Sequence, residues 1–447
     1  MTVHGADSVD AVLAAGATQL VVGRTDIVTP LARERARDAG VEIVVGGATS
    51  PAGTGEATTS PAAQSRPTNG RAATPRAGRP AVDAEALPLL RPPSPALFRR
   101  GAPLAAAVRI DRSGSVASAG KDSVASGRVR RVTVVGAGNV GMIAAMRLAE
   151  SDAIDEVVLV DIAGQRAAGI ALDITHAAPL LGFSTRVRGV NTLAEAGPSE
   201  YVVITAGKAR TPGMSRTDLV ETNAAIVGAL ARDAVEVSPN TVLLVVTNPL
   251  DEMTQHAWQV SDLPASRVIG MAGVLDSSRF EALTGLAAGV HPREVSALAL
   301  GSHGGEMVMP LSQATVGGIP IARSLPAPEV DALVDRARNS GAEVVGLLKT
   351  GSAFFAPGLS AARMVLAMIR ETGELLAATV APQGEYGINS GYVGLPVRLN
   401  RAGLAQIVEL PLTTTELGEL RTAADRIAER VQSLESAGVA ADAGRRT

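Results

Sequence analysis

The stretch VTVVGAGNVG, residues 132–141, limits what this chain can fold into more than any other. A β-branched apolar run passes directly into glycines at 136, 138 and 141, and the residues beyond them read as a helix. A strand that bends straight into a helix needs a first glycine for the tight turn. The second lets the backbone approach a pyrophosphate, and the third lets helix and strand pack closely. The helix start then offers free N–H groups and a partial positive charge to the phosphates. VVLVD follows and ends in Asp161, about twenty residues after Gly141, where a carboxylate accepts both ribose hydroxyls and repels a 2′-phosphate. These residues predict an NAD site rather than an NADP site, with Gly136, Ala137, Gly138, Asn139, Val140 and Gly141 forming its loop.

The pattern continues from Val129 onward. VTVVG, VVLVD, YVVITA and VLLVVT are short, continuous apolar runs, as strands buried on both faces must be. Helical stretches separate them: NVGMIAAMRLAE, AGQRAAGIALDITHAA and RTDLVETNAAIVGALARDAVE. Such alternation requires right-handed crossovers and predicts an α/β fold with a parallel, doubly wound sheet. Ligands of such sheets lie beyond the carboxyl ends of the strands. Thr205, Ala206, Gly207, Val246, Thr247 and Asn248 are therefore expected on the nicotinamide side. Near the end, Thr413 and Glu416 form a capping box before a helix with Leu417, Leu420, Ile427, Val431 and Leu434 on one face.

The 447 residues allow more than one domain. A net charge of −3 gives no electrostatic case for nucleic acid or an anionic membrane. The chain has no cysteine, which excludes disulfides and thiolate chemistry and suits a reducing cytoplasm. Its first residues lack the features of a secretory signal, and its longest apolar runs are strand-length. Residues 1–46 read as a small α/β segment, with a helix from Ser8 to Ala15, a strand at QLVVG, a second helix opened by Thr29 and Pro30, and a strand at 41–45. Residues 47–127 are rich in Ala, Pro, Gly, Ser, Thr and Arg and read as a disordered, basic linker. Within it, Leu87, Leu89, Leu90, Leu97 and Phe98 suggest a short partner-binding element. The expected division continues with a cofactor domain at 128–272, a catalytic domain at 273–435 and a disordered tail at 436–447.

Of the five histidines, His303 is set apart. It follows the apolar run VSALAL, which reads as a strand, and has open glycines after it, a strand-end placement suited to acid–base chemistry near neutral pH. GVLDSSRF adds Asp276 and Arg279, three apart on one side of a helical turn. Asp276 is suited to fix the imidazole tautomer, and the Arg279 fork to grip a carboxylate; a plain ion pair between them on a helix surface is the competing explanation. Arg210 and Arg216 lie on the loop GKARTPGMSR with no acid between them, an arrangement that suits a small dianion.

Residues 129–435 resemble the malate/lactate dehydrogenase family, closest to its lactate-dehydrogenase-like malate dehydrogenases. VGAGNVG, ARTPGMSR, VTNPLDEMT, GMAGVLDSSRF, GSHGGEM, LLKTGSAFFAP and EYGINSGYVGLPV carry the resemblance, in the family's order. It implies a Rossmann domain followed by an α+β catalytic domain, and NAD-dependent oxidation of malate in the tricarboxylic acid cycle. His303 would accept the proton with Asp276 as partner. Arg279 would bind the C1 carboxylate, Arg216 would polarise the reacting carbonyl, and Arg210 would take the second carboxylate that separates malate from lactate. Asn248 would contact substrate and Asn223 cofactor. A homodimer or homotetramer is implied. A dehydrogenase for another 2-hydroxy acid, or a dehydrogenase body serving as a tethered scaffold, remain alternatives. The chain departs from the family at Ser302 and at Gly305, which leaves the histidine without the acid usual near it, and also at Phe354, Phe355 and Ser390. DIVTPLARERARDAGVEIVVG resembles leader segments of proteins linked to bacterial microcompartments. That likeness implies a shell partner and recycling of NAD inside such a body.

Overall fold

A computed structural model describes residues 3–4, 6–23, 26–28, 30–45, 128–208, 216–349, 351–389 and 391–436. The chain divides into two units, whose described parts are residues 3–45 and 128–436. The linker, its Leu/Phe element, Arg210 and Ser390 lie outside the described residues.

In the first unit, Gln19–Val22 pairs in parallel with Glu42–Val45, and Val3–His4 with Ile27–Val28. Helices Ala6–Ala14 and Pro30–Asp38 accompany them. Leu20 and Val22 are buried while Gln19 and Val21 are exposed, the period of two of a strand with one covered face. The described core is small: Val9, Leu20, Val22, Ala32, Ala36 and Val41.

The second unit carries six parallel strands. They are β1 (Val129–Val135), β2 (Ile154–Val160), β3 (Arg186–Val190), β4 (Tyr201–Ile204), β5 (Val242–Val245) and β6 (Val268–Gly270). Their spatial order is β3-β2-β1-β4-β5-β6, which places the topological switch between β1 and β4. Alternate residues enter different cores. Tyr201 and Val203 of β4 join Val242 and Leu244 of β5 on one face, while Val202, Ile204, Leu243 and Val245 join a second cluster on the other. Each such Val or Leu stabilises by about 1.5–3 kcal/mol, which is why these strands read as unbroken apolar runs.

Helices α1 (Asn139–Glu150), α2 (Gly164–Leu181), α3 (Arg216–Val237) and α4 (Leu250–Ser261) occupy the connections between these strands. After β6 come α5 (Gly273–Ala288), β7 (Leu300–Gly301), β8 (Met307–Val308), α6 (Ala327–Leu348), α7 (Phe355–Arg370), β9 (Leu376–Val380), β10 (Val393–Asn400), β11 (Gly403–Ile407) and α8 (Thr414–Ser436). The sheet does not stop at the cofactor half. Gly270 of β6 pairs antiparallel with Thr379 of β9, and β10, β7 and β8 extend the same sheet. The capping box at α8 is present: the Glu416 N–H donates to the Thr413 hydroxyl at 3.2 Å, and the Thr413 N–H donates to the Glu416 carboxylate at 2.9 Å.

One expected run breaks up. VSALAL forms strand only at Val295–Ser296 and Leu300–Gly301. Between them the Ala299 N–H donates to Ser277 Oγ at 2.9 Å and the Ala297 N–H to Glu281 at 3.4 Å. Side chains of α5 take the donors that a neighbouring strand would have used.

Candidate active site

The turn after β1 is built as the glycines require. Gly136 has φ +103°, and a Cβ there would lie 2.8 Å from Thr205 Oγ1 and from the Ala206 nitrogen. A Cβ on Gly141 would lie 1.8 Å from the Gly136 carbonyl oxygen, so α1 reaches β1 only because that position is bare. At Gly138 a Cβ would meet nothing within 4 Å, and α1 starts there with no side-chain cap. This open space before uncapped N–H groups fits a pyrophosphate. Ala137, Asn139 and Val140 complete the turn, and Val140 also lines the adjoining cleft. The Asp161 carboxylate holds the loop from the end of β2, accepting from the Ala137 N–H at 2.7 Å and the Ala163 N–H at 2.9 Å. Each of its oxygens has lone-pair capacity left for a ribose hydroxyl.

The β4 and β5 ends behave as a brace. Thr205 Oγ1 shares its one hydrogen between the carbonyls of Val135 and Gly136, and Thr247 Oγ1 donates to the Ala206 carbonyl at 2.7 Å. Asn223 is buried. Its Oδ1 accepts from the Lys208 N–H at 2.7 Å, and its Nδ2 donates to the carbonyls of Asn248 and Lys208 at 2.7 and 3.1 Å. Its amide thus clamps the start of the 207–216 loop, next to Gly207, onto the β5 terminus. Arg216 opens α3, and no side-chain geometry is described for it.

Beyond these strand ends lies a cleft of about 330 Å³ lined by Val246, Asn248, Asp276, Arg279, His303 and Gly304, among others. His303, on the loop after β7, and Asp276 of α5 are 27 residues apart and meet with Nδ1 to Oδ2 at 2.7 Å. Arg279 Nη1 donates to the other oxygen of Asp276 at 2.9 Å. The helix-surface pair is therefore real, but it is neither exposed nor isolated: one carboxylate holds the imidazole and the guanidinium together. A carboxylate only accepts, so His303 Nδ1 carries the hydrogen and a neutral ring presents Nε2 as an acceptor. Among the described residues Nε2 has no partner, and neither do the remaining N–H groups of Arg279. Burial lowers the His303 pKa, but the charge of Asp276 and its hydrogen bond outweigh that, with help from Asp251 and against Arg279, so the pKa lies above the ordinary value.

An acid does stand beneath the histidine, contrary to the expectation from Gly305. Asp251, in VTNPLDEMT, is 1% exposed. It accepts the backbone N–H of His303 at 3.0 Å, the Ser302 hydroxyl at 3.0 Å and the Thr379 hydroxyl at 2.7 Å. Sequence distance hid it, since 52 residues separate it from His303; the only signal was a carboxylate directly after an apolar strand-and-turn segment.

A 3-2-1-4-5-6 parallel sheet with this glycine turn, opening on a cleft where one carboxylate orders a histidine and an arginine, defines a dinucleotide-dependent dehydrogenase acting on a small anionic alcohol. The comparisons take this further. Residues 130–270 match the lactate/malate dehydrogenase NAD binding domain, and residues 273–437 match the lactate/malate dehydrogenase alpha/beta C-terminal domain. The chain belongs to the lactate/malate dehydrogenase family; it is an oxidoreductase and its cofactor is NAD. It is 46% identical over 303 residues to a malate dehydrogenase of Nostoc punctiforme, covering 68% of this chain and 92% of that one. It is 43% identical over 304 residues to one of Pelodictyon phaeoclathratiforme, covering 68% and 98%. Among solved structures, the malate dehydrogenase of Salinibacter ruber matches with a TM-score of 0.65 and 38% identity, over 69% of this chain and 99% of that one. A lactate dehydrogenase of Cryptosporidium parvum, complexed with lactic acid and nicotinamide adenine dinucleotide, matches with 0.66 and 34%, over 69% and 98%.

Proposed function

We propose that the protein is an NAD-dependent malate dehydrogenase that interconverts (S)-malate and oxaloacetate as in the tricarboxylic acid cycle. The observation that carries the reading is Asp276, which holds the proton-transfer group and a carboxylate-binding group on its two oxygens. Bound NAD supplies the acceptor for the hydride that leaves C2 of malate. His303 Nε2 takes the hydroxyl proton, and Asp276 stabilises the imidazolium through Nδ1. In the reverse direction the same nitrogen returns the proton to the carbonyl oxygen. Arg279 grips the C1 carboxylate with its free N–H groups, Arg216 polarises the reacting oxygen, and Asn248 orients it. Arg210 neutralises the distal carboxylate; with lactate in place of malate its charge would be left unpaired at a cost of several kcal/mol. Gly136 to Gly141 and Asp161 hold the pyrophosphate and adenine ribose.

The comparable match to a lactate dehydrogenase favours a second reading, a one-carboxylate substrate. Arg210→Gln, assayed with oxaloacetate and with pyruvate, decides between them. A large loss on oxaloacetate with an unchanged or improved rate on pyruvate is expected. A variant that keeps the wild-type preference overturns the malate assignment. Residues 47–127 act as a tether that carries the N-terminal segment, and the enzyme works in the cytoplasm as a homodimer or homotetramer. The N-terminal segment's partner is a microcompartment shell, with NAD recycled inside.

A further inference from the structure

Asp251 takes no part in the proton transfer described above, yet it holds the loop that performs it. Its two oxygens accept three donors, from β9, from the loop after β7 and from the backbone of His303 itself. The ring of His303 is therefore tied at two points: its main chain to α4 through Asp251 and its Nδ1 to α5 through Asp276. The contacts continue outward. Ser302 Oγ has one hydrogen, given to Asp251, and accepts at 3.1 Å from Nη2 of Arg430 on α8. Arg430 is fixed by Glu252 of α4 at 2.5 Å and by Glu306, beside the histidine loop, at 2.7 Å. A guanidinium only donates and a carboxylate only accepts, so this chain of hydrogen bonds has one direction, from Arg430 through Ser302 to Asp251.

We propose that Asp251 is a positioning residue for His303, and that Arg430 and Ser302 hold it in place. This rests on the reading of His303 as the proton-transfer group. The groups that set the charge at its imidazole are Asp276 and Arg279 from α5 and Asp251 from α4; Glu252, next to Asp251 on α4, acts on Asp251. Arg430 from α8 and Glu306 from its own loop stand behind them. Asp251 adds negative charge that favours the imidazolium. Asn in its place keeps an acceptor for His303 and Ser302 and turns its amide to the Thr379 oxygen, so it removes the charge and leaves the geometry.

The test uses the full chain and follows malate oxidation against pH, with NADH binding measured by fluorescence. Asp251→Asn is expected to move the acidic limb of kcat/KM to lower pH while NADH binds as before. Ser302→Ala removes the hydrogen bond to Asp251 and the one accepted from Arg430; it is expected to lower kcat about fivefold with KM little changed, and Ser302→Thr to restore it. His303→Asn serves as the reference. If it stays active, the reading of His303 fails. If it is inactive while Asp251→Asn and Ser302→Ala keep wild-type kcat and pH profile, the positioning role is overturned and His303 stands. Loss of kcat in step with loss of NADH binding reports a damaged fold and also overturns it.

Discussion

A single carboxylate at position 276 decides the pH behaviour of the site. Because Asp276 outweighs burial, His303 holds its proton to a higher pH than a free imidazole does. With His303 as the proposed proton donor, oxaloacetate reduction needs that proton, so its rate should fall as pH rises through the raised pKa, and malate oxidation should rise over the same interval. Asp276→Asn removes the partner and lowers the pKa. Both limbs should move to lower pH in rate profiles, with kcat reduced by about 10²-fold or more. Asp251 is also shifted upward, but by burial and the neighbouring Glu252, which push it up to about 6. Its folded pKa exceeds the unfolded value, so the folded state binds the extra proton and stability falls between about pH 4 and 6. Asp251→Asn is free of that cost. Its stability relative to the parent, followed by thermal melting, should improve across this window and stay improved above it, by up to about 3 kcal/mol; a constant difference from pH 4 to 8 would refute the charge argument. His303 was legible in the sequence from its glycines and Asp276 from its helical spacing to Arg279. Asp251 was not, since nothing local to residue 251 says which loop will fold over it.

At the scale of elements, the β1 turn separates two roles that the bare glycine pattern merges. Gly141→Ala puts a methyl group against the Gly136 carbonyl at 1.8 Å. It should force α1 outward, costing about 1–3 kcal/mol by thermal melting and weakening NADH binding. Gly138→Ala meets no atom within 4 Å and should leave the melting temperature unchanged while NADH affinity still drops, because the methyl group occupies the pyrophosphate space. Thr413→Ala should cost about 1 kcal/mol through the lost cap of α8, and so weaken the helix that presents Arg430. Strand and helix periodicity gave β1, β2, β4, β5 and the helices between them. It failed at VSALAL, where Ser277 and Glu281 of α5 intercept the backbone donors, a competition that depends on residues about 20 positions away.

For the whole molecule, the described site lies within the second unit. The described groups of the site fall within residues 128–436, and the first unit's described core is six residues. Deleting residues 1–127 should therefore leave kcat and KM for malate within about twofold of the full chain while changing where the protein is found; a large loss of turnover would give the N-terminal part a catalytic role. Among the described residues no helix is long and apolar enough to cross a membrane. The sequence alone determined the α/β alternation, the dinucleotide turn and its NAD preference, and the residue types of the chemistry, because these depend on neighbours within a turn or a strand. Only the tertiary structure decided that the two halves share one sheet through Gly270 and Thr379, and that this seam carries Thr379 to Asp251 and Asp251 to His303. The physical reason is burial: a carboxylate removed from water must find its donors wherever the packed chain brings them, and those donors lie 51 to 128 residues away.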